Sequence, residues 1–239
     1  MIGSALLAAV SFWMKDALPP PAGLRAELLE EPRQVAVKNA ALDTTVNGVQ
    51  YSIQPRYSYD LYGLVVSLHE SDAWWDLAHR EWGDHINVAD LCVVWGANVR
   101  NDAYRAISFD NTQWECHWRT GSEAAWKAFD ESAVSNNHMV TDSPSVARAL
   151  KKVRVGDQVR FRGYLADYTI FKDGRPQGTR VTSTVRTDTG PGACEVVYLE
   201  DFDILGSANR AWRLAFKASL FLLLASVLAW IFLPVKYKD

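Results

Sequence analysis

The longest apolar stretch of the chain lies near its C-terminal end. Residues 218–235 form a run of 18 residues without a charge. At about 1.5 Å per residue, a helix of this length spans roughly 27 Å, close to the hydrocarbon thickness of a bilayer. Basic and aromatic residues flank the run, as is typical of membrane interfaces. We therefore predict a transmembrane helix with a short tail over 208–239. Its expected membrane-facing side chains are Trp212, Leu220, Leu224, Leu228, Trp230 and Phe232.

A second, shorter apolar run lies at the N-terminus. Residues 2–14 carry no charge, but 13 residues are too few for a comfortable membrane span. The run lacks a basic start and a convincing small-residue cleavage site, so we interpret 1–16 as an uncleaved membrane anchor. A short interfacial or docked helix is the alternative. Three consecutive prolines then introduce a stem over 17–34, which we expect to be extended and semi-rigid.

Between these segments, residues 35–207 show the alternation and turn signals of a β-rich globular domain with short helices. The predicted strands cover 49–53, 59–68, 90–95, 155–168, 179–187 and 194–205, with an alternating segment inside 109–119. The predicted helices cover 71–82, 122–129 and 143–151. The first strand is expected to stop at Pro55, and the first helix to begin at Ser71 or Asp72 and end at Gly83. The fold class is therefore α+β and mainly β.

Two strand patterns with glycine point to a more specific architecture. Residues 63–66 read Gly-Leu-Val-Val, residues 156–165 follow G-D-x-V-x-x-x-G-x-L, and an apolar closing strand comes later. Together they resemble the OB-fold, a five-stranded Greek-key barrel. The resemblance implies an OB-like antiparallel barrel or sheet with short helical insertions.

The whole chain is also similar to an uncharacterised bacterial family of membrane-anchored proteins. The similarity is carried by the stretches 61–66, 90–96, 135–138 and 183–195. This resemblance implies a membrane anchor and a bacterial source, but no activity.

Charge and cysteine content limit the classes of function. A formal charge of −3 provides no field that would attract nucleic acid, so no nucleic-acid partner is expected. The three cysteines, Cys92, Cys116 and Cys194, are too few for a disulfide scaffold. One bridge with one free thiol and three reduced thiols are both compatible with the sequence.

Catalytic motifs are sparse in this chain. The sequence contains no GxSxG, Walker, GxGxxG, CxxC or CxxCH pattern, so no cofactor is predicted. Residues 188–190 read Asp-Thr-Gly, as in aspartic proteases, but the flanks are wrong and a turn is the favoured interpretation. No metal site is predicted, although Asp72, Asp76 and His79 share one face of the predicted helix. A hydrolase that uses His79 or His138 with nearby acids is kept as an alternative function.

Tryptophan is the most distinctive residue type, with ten copies. Three copies in strand-like segments are predicted to be core residues: Trp95, Trp114 and Trp118. Three others share one short predicted helix on which neighbouring rings cannot all point inward: Trp74, Trp75 and Trp82. Because exposed tryptophan is enriched in interface hot spots, we predict that these three form a partner interface.

These observations favour a non-enzymatic accessory subunit of a bacterial integral membrane complex. The expected partners are the lipid bilayer and integral membrane protein subunits. The expected location is the bacterial inner membrane with a periplasmic domain, and a cytoplasmic domain is the alternative. A membrane-anchored binding module is a further alternative, because a basic and aromatic strand face could bind a ligand. That possible ligand face consists of Arg160, Arg162 and Tyr164.

Overall fold

A computed structural model describes residues 2–71, 73–188 and 193–232. Asp72, the segment 189–192 and the tail 233–239 lie outside the described residues, and with them the predicted Asp72 cap and most of the Asp-Thr-Gly segment. The described chain forms two compact units, one made of residues 2–17 and 207–232 and the other of residues 18–206.

The larger unit is mainly β. Its strands are β1 (Arg33–Ala36), β2 (Leu42–Val46), β3 (Val49–His69), β4 (Asn87–Val94), β5 (Ser108–Asn111), β6 (Cys116–Arg119), β7 (Val134–Val140), β8 (Asp157–Lys172), β9 (Arg175–Arg180) and β10 (Glu195–Ser207). Its helices are α2 (Leu77–Trp82), α3 (Gly96–Arg100), α4 (Glu123–Ala128) and α5 (Pro144–Leu150). The smaller unit contains α1 (Ile2–Met14) and α6 (Arg210–Phe232).

Five strands close into a ring in the order β3, β4, β7, β10, β8 and back to β3. β3 is antiparallel to both β4 and β8, and β4 is antiparallel to β7. β7 and β10 are parallel. The sheet is therefore mixed, and the prediction of a purely antiparallel barrel or sheet is wrong at this pair. Parallel neighbours need a long crossover, which here runs through α5, β8 and β9.

The long strand β3 corrects the prediction that the first strand stops at Pro55. The ladder between β3 and β8 continues through Pro55 and skips one residue before Tyr57. This bulge tolerates a proline because the residue beside it drops out of the hydrogen-bond ladder. Two separately predicted strands are thus one strand of 21 residues.

Apolar residues of alternate strand positions fill the ring. The interior core includes Leu61, Leu91, Val93, Phe161 and Val197, all buried. On the outer side of β4 and β7, a second core packs under the segment from α3 to α4 and contains Cys92, Tyr104 and Phe129. β4 and β7 are consequently buried along their whole length.

Several local predictions are confirmed and others are wrong. The strands at β4, β8 and β10, the helices α4 and α5 and the turn at 172–175 are confirmed. The helix predicted over 71–82 begins only at Leu77, after its Asp76 cap, although Gly83 ends it as predicted. The segment 109–119 is a hairpin of β5 and β6 rather than one strand. The strand predicted over 179–187 is wrong beyond Arg180, because the chain leaves the sheet there.

The smaller unit pairs a short helix with a long one. The rings of Phe12 on α1 and Phe216 on α6 lie 5.7 Å apart, and Arg213 donates to the backbone oxygen of Lys15 at 3.2 Å. α6 is long and apolar enough to cross a membrane by length and composition. Among the described helices no other meets that standard, since α1 has 13 residues.

Candidate functional site

A rung of polar side chains crosses three neighbouring strands of the ring. The register pairs Asp90 of β4 with His69 of β3 on one side and with His138 of β7 on the other. Directly opposed residues point to the same face of a sheet. Since Leu91 and Met139, one position further on, belong to the interior core, this rung lies on the outer face of the ring.

Asp90 and His138 form a buried ion pair. His138 Nδ1 lies 2.7 Å from Asp90 Oδ1, and both side chains are buried. Burial lowers the pKa of His138, but the Asp90 charge and hydrogen bond outweigh it and raise the pKa to about 9. Burial raises the pKa of Asp90, but His138 and a hydrogen bond from Asn87 bring it below its ordinary value. The pair is therefore an imidazolium and a carboxylate at neutral pH.

Asp76 holds two further histidines at the start of α2. Its Oδ2 lies 2.7 Å from both His69 Nε2 and His79 Nδ1, while its Oδ1 accepts from the His79 backbone N–H at 3.1 Å. Asp76 thus caps the helix and orients both rings. Burial raises its pKa, but these hydrogen bonds outweigh burial and the pKa lies below its usual value.

Asn87 joins the two groups. Its Nδ2 lies 3.0 Å from Asp90 Oδ1 and 3.3 Å from His79 Nε2. A carboxylate oxygen only accepts, so Nδ2 is assigned as the donor in both contacts. His79 Nε2 then accepts, and the ring proton sits on Nδ1, facing Asp76. A continuous network therefore runs from His69 to His138.

His69, Asp76 and His79 also have the composition of a metal centre. Single ligand atoms of His69, Asp76 and His79 lie within 4.8 Å of one another, and two histidines with one carboxylate suit iron or zinc. A histidine that binds metal donates its other N–H to an acceptor. Here the donor Asn87 faces that nitrogen of His79, so the surroundings fit a hydrogen-bonded network better than a metal.

Trp114 covers the network. Its ring lies 4.5 Å from the His79 ring and 5.1 Å from the Trp82 ring, and the Arg180 guanidinium sits 4.7 Å above it. Arg180 also approaches His138 Nδ1 at 3.2 Å, which opposes the rise in the His138 pKa. Trp95 is buried as predicted, but Trp114 and Trp118 are only half-buried, because they lie on the hairpin that covers the ring.

The third cysteine lies at the far end of the network. Cys92 and Cys116 form a disulfide, and Cys194 is free and half-buried. Asn136 Nδ2 lies 3.4 Å from Cys194 Sγ and donates to the Trp114 carbonyl at 3.1 Å. Cys194 Sγ donates to the same Trp114 carbonyl at 3.4 Å, and the thiol is among the groups that raise the pKa of His138. Of the alternatives left open by the sequence, the structure has one bridge and one free thiol.

Clefts open at both ends of the network. One, of about 360 Å³, is lined by Asp76 and His79. The other, of about 510 Å³, is lined by Asn136 and Cys194. One cleft therefore borders the histidine end of the network, and the other borders the free thiol of Cys194.

The predicted partner interface is exposed but only partly helical. Trp74 and Trp75 lie in the turn before α2 and are 77% and 56% exposed, and Trp82 ends the helix at 61%. The Trp74 and Trp75 rings meet edge to face at 5.6 Å. The structure places all three on the surface.

The predicted ligand face is a row of paired charges. Arg160 makes two hydrogen bonds to Asp60, at 3.0 and 2.8 Å, and Arg162 bonds Asp201 at 2.5 Å. Tyr164 is partly buried against the neighbouring apolar cluster. These residues lie on β8 as predicted, but the arginine charges are directed to protein acids.

Asp188, from the Asp-Thr-Gly segment, accepts a hydrogen bond from Ser183 at 2.5 Å. This local bond agrees with the interpretation of a turn, and Thr189 and Gly190 lie outside the described residues.

Sequence reasoning identified His79 and His138 but missed most of their partners. It did not select Asp90, Asn136, Arg180 or Cys194, and it predicted no strand at β7. The usable signal was polar residues inside runs that are otherwise apolar, as at Asp90 and at 135–138. Buried polar side chains are costly unless they are paired, so such positions indicate a network.

Comparison with protein-family models, curated proteins and solved structures finds no match for this chain.

Proposed function

We propose that this chain is an accessory subunit of a bacterial integral membrane complex, with α6 and α1 packing on larger subunits and the β-rich domain capping them outside the bilayer. The observation that carries the proposal is the tryptophan patch, defined as Trp74, Trp75, Leu77 and Trp82. All four side chains are more than half exposed. Aromatic clusters of this kind are the usual anchors of protein interfaces.

The tryptophan patch is held in place before any partner binds. Arg80 donates to the Trp74 carbonyl at 2.8 Å, and Asp76 caps the helix that carries Leu77 and Trp82. Trp82 also stacks on Trp114. Because an ordered patch loses little conformational freedom on binding, a larger share of its apolar burial contributes to affinity. This argues for a docking surface rather than four isolated exposed residues.

The apolar helix α6 supports the same role. The exposed fractions of its side chains range from 45% to 76% at Leu220, Leu224, Leu228, Trp230 and Phe232, as expected for contact with lipid or neighbouring membrane helices.

We infer further that the ring of five strands is an OB-like barrel. β3, β4 and β7 are consecutive antiparallel neighbours, and β8 returns to lie beside β3, which is the Greek-key order. The alternative of an OB-like ligand-binding module receives less support, because Asp60 and Asp201 neutralise Arg160 and Arg162.

Isolation in mild detergent tests the accessory role. The tagged full chain should bring down a membrane protein in stoichiometric amount, identified by mass spectrometry. Replacing Trp74 and Trp75 with alanine should reduce recovery at least tenfold. Trp126→Ala is the matched control, since Trp126 is 50% exposed on α4 and outside the patch. Recovery of no membrane partner, or equal recovery from both variants, would contradict the proposal.

The disulfide supports a periplasmic domain, because such bridges persist in oxidising compartments. We expect acid-quenched cells, denatured and treated with a maleimide mass tag, to yield one tag per chain, on Cys194. After reduction, Cys92 and Cys116 should add two more. Three tags without reduction would place the domain in the cytoplasm.

A further inference from the structure

We propose that Cys194, His138 and Asp90 form a thiol-based acyl-transfer site that hydrolyses an ester or amide whose acyl side carries a basic group. This activity goes beyond the accessory role. Asp90 lies on β4, His138 lies on β7 and Cys194 immediately precedes β10, and none of them belongs to the tryptophan patch.

The sheet register brings the thiol to the histidine. Val196 of β10 pairs with His138 of the parallel strand β7. Cys194, two residues before Val196, therefore points to the same face as His138 and Asn136. The 3.4 Å contact between Asn136 Nδ2 and Cys194 Sγ agrees with this placement. The thiol lies at the edge of the second cleft, where a substrate can reach it.

Asp90 fixes the orientation of the histidine. Its carboxylate accepts from His138 Nδ1 at 2.7 Å, which leaves Nε2 as the ring nitrogen that can serve the sulfur. Asp90 is buried and touches no cleft, so it acts as a positioning residue. The Asn136 amide donates to the sulfur, and the His138 imidazolium lies on the same face, so both can stabilise negative charge that develops on the sulfur when it acts as a nucleophile.

The reaction can be written with all atoms accounted for. The Cys194 sulfur attacks the carbonyl carbon, a C–S bond forms, and the carbonyl oxygen becomes an oxyanion that the Asn136 amide can meet. The bond to the leaving group breaks as His138 Nε2 donates its proton to the departing nitrogen or oxygen. The neutral histidine then takes a proton from water, which attacks the thioester. The C–S bond breaks, the acid leaves, and the sulfur and the protonated histidine return to their starting state.

The cleft favours a positively charged substrate. Four acids line it, Glu115, Glu131, Asp188 and Glu195, against one arginine, Arg186. That arginine is already paired with Glu195 at 2.9 Å. The remaining negative charge attracts a basic group and repels an acidic one.

Hydrolysis of matched esters tests the site in the full-length protein, without reductant so that the bridge is kept. The probes are the p-nitrophenyl esters of acetyl-lysine and acetyl-glutamate. We expect the lysine ester to be cleaved at least tenfold faster than the glutamate ester. Cys194→Ser and His138→Gln should each lower the lysine rate at least a hundredfold. His85→Gln is the control, because His85 is a partly exposed histidine outside the triad and outside the second cleft.

Two further readouts separate catalysis from folding and from assembly. Alkylation of the folded wild type with one equivalent of iodoacetamide should abolish hydrolysis, and mass spectrometry should locate the label on Cys194. This readout does not depend on whether a variant folds. Asp90→Asn should change the pH profile of the rate, which a purely structural role would not do. Cys194→Ser should still recover the membrane partner, so the two proposals fail independently. The assignment would be overturned if Cys194→Ser hydrolysed the lysine ester at the wild-type rate. It would also be overturned if the wild type hydrolysed that ester no faster than buffer alone.

Discussion

At the scale of single residues, the buried pair of His138 and Asp90 makes the domain sensitive to pH. The pKa of His138 rises from 6.5 to about 9 on folding, because Asp90 faces it, although Arg180 opposes the rise. A raised histidine pKa stabilises the fold fully below pH 6.5, and this stabilisation is lost as the pH rises through 9. The free energy of unfolding of the wild type should therefore fall by about 3 kcal/mol between pH 6.5 and 9.5.

The variant His138→Gln should lack this decline, because its side chain does not titrate. Urea unfolding of the full chain in detergent, followed by tryptophan fluorescence, measures both proteins across the pH range. His117→Gln should keep the wild-type slope, since His117 is exposed. Burial also raises the pKa of Glu195, to about 7, so Glu195 adds a smaller decline in this window that all three proteins share, and the comparison with His138→Gln isolates the larger part. Parallel curves for wild type and His138→Gln would refute the argument.

At the scale of secondary-structure elements, the close approach of the neighbouring strands β8 and β10 requires a glycine at position 163. A Cβ on Gly163 would lie 2.0 Å from the backbone oxygen of Tyr198, which a rotamer change cannot relieve. We predict that Gly163→Ala lowers the free energy of unfolding by at least about 2 kcal/mol. Gly178→Ala on β9 is the control, because no atom lies within 4 Å of its added carbon. Thermal unfolding of both variants decides the point, and equal stability would contradict it.

The elements also show where sequence patterns are informative. β8 was predictable because its apolar and polar residues alternate around Gly163, and β4 because it is a short apolar run. β7 was not, since four polar residues follow Val134 and hide a fully buried strand. The bulge beside Pro55 does not alter the pattern of apolar and polar residues, so the sequence predicts a strand end there although β3 continues. The site was only half predictable for the same reason: Asp90, His138 and Cys194 meet through long-range register, which no local pattern encodes.

At the scale of the whole molecule, α6 is the described helix that is long and apolar enough to hold the chain in a membrane. Leu224 and Leu228 lie within the apolar run and are 58% and 45% exposed in the structure. A charged side chain near the centre of a membrane helix costs about 3 kcal/mol on insertion scales. Replacing both leucines with arginine should therefore cost about 6 kcal/mol. This is enough to move most of the protein out of the carbonate-resistant membrane fraction.

The control for this prediction is Leu214→Arg, near the N-terminal end of α6. An arginine there can extend toward water beside Arg210 and Arg213, so membrane retention should stay close to wild type. Quantitative blotting of carbonate-washed membranes and of the supernatant compares the three proteins. If the double variant is retained in the membrane fraction to the same extent as the wild type, the hydrophobic length of α6 is not what holds the chain there. The accessory role would then lose its membrane component.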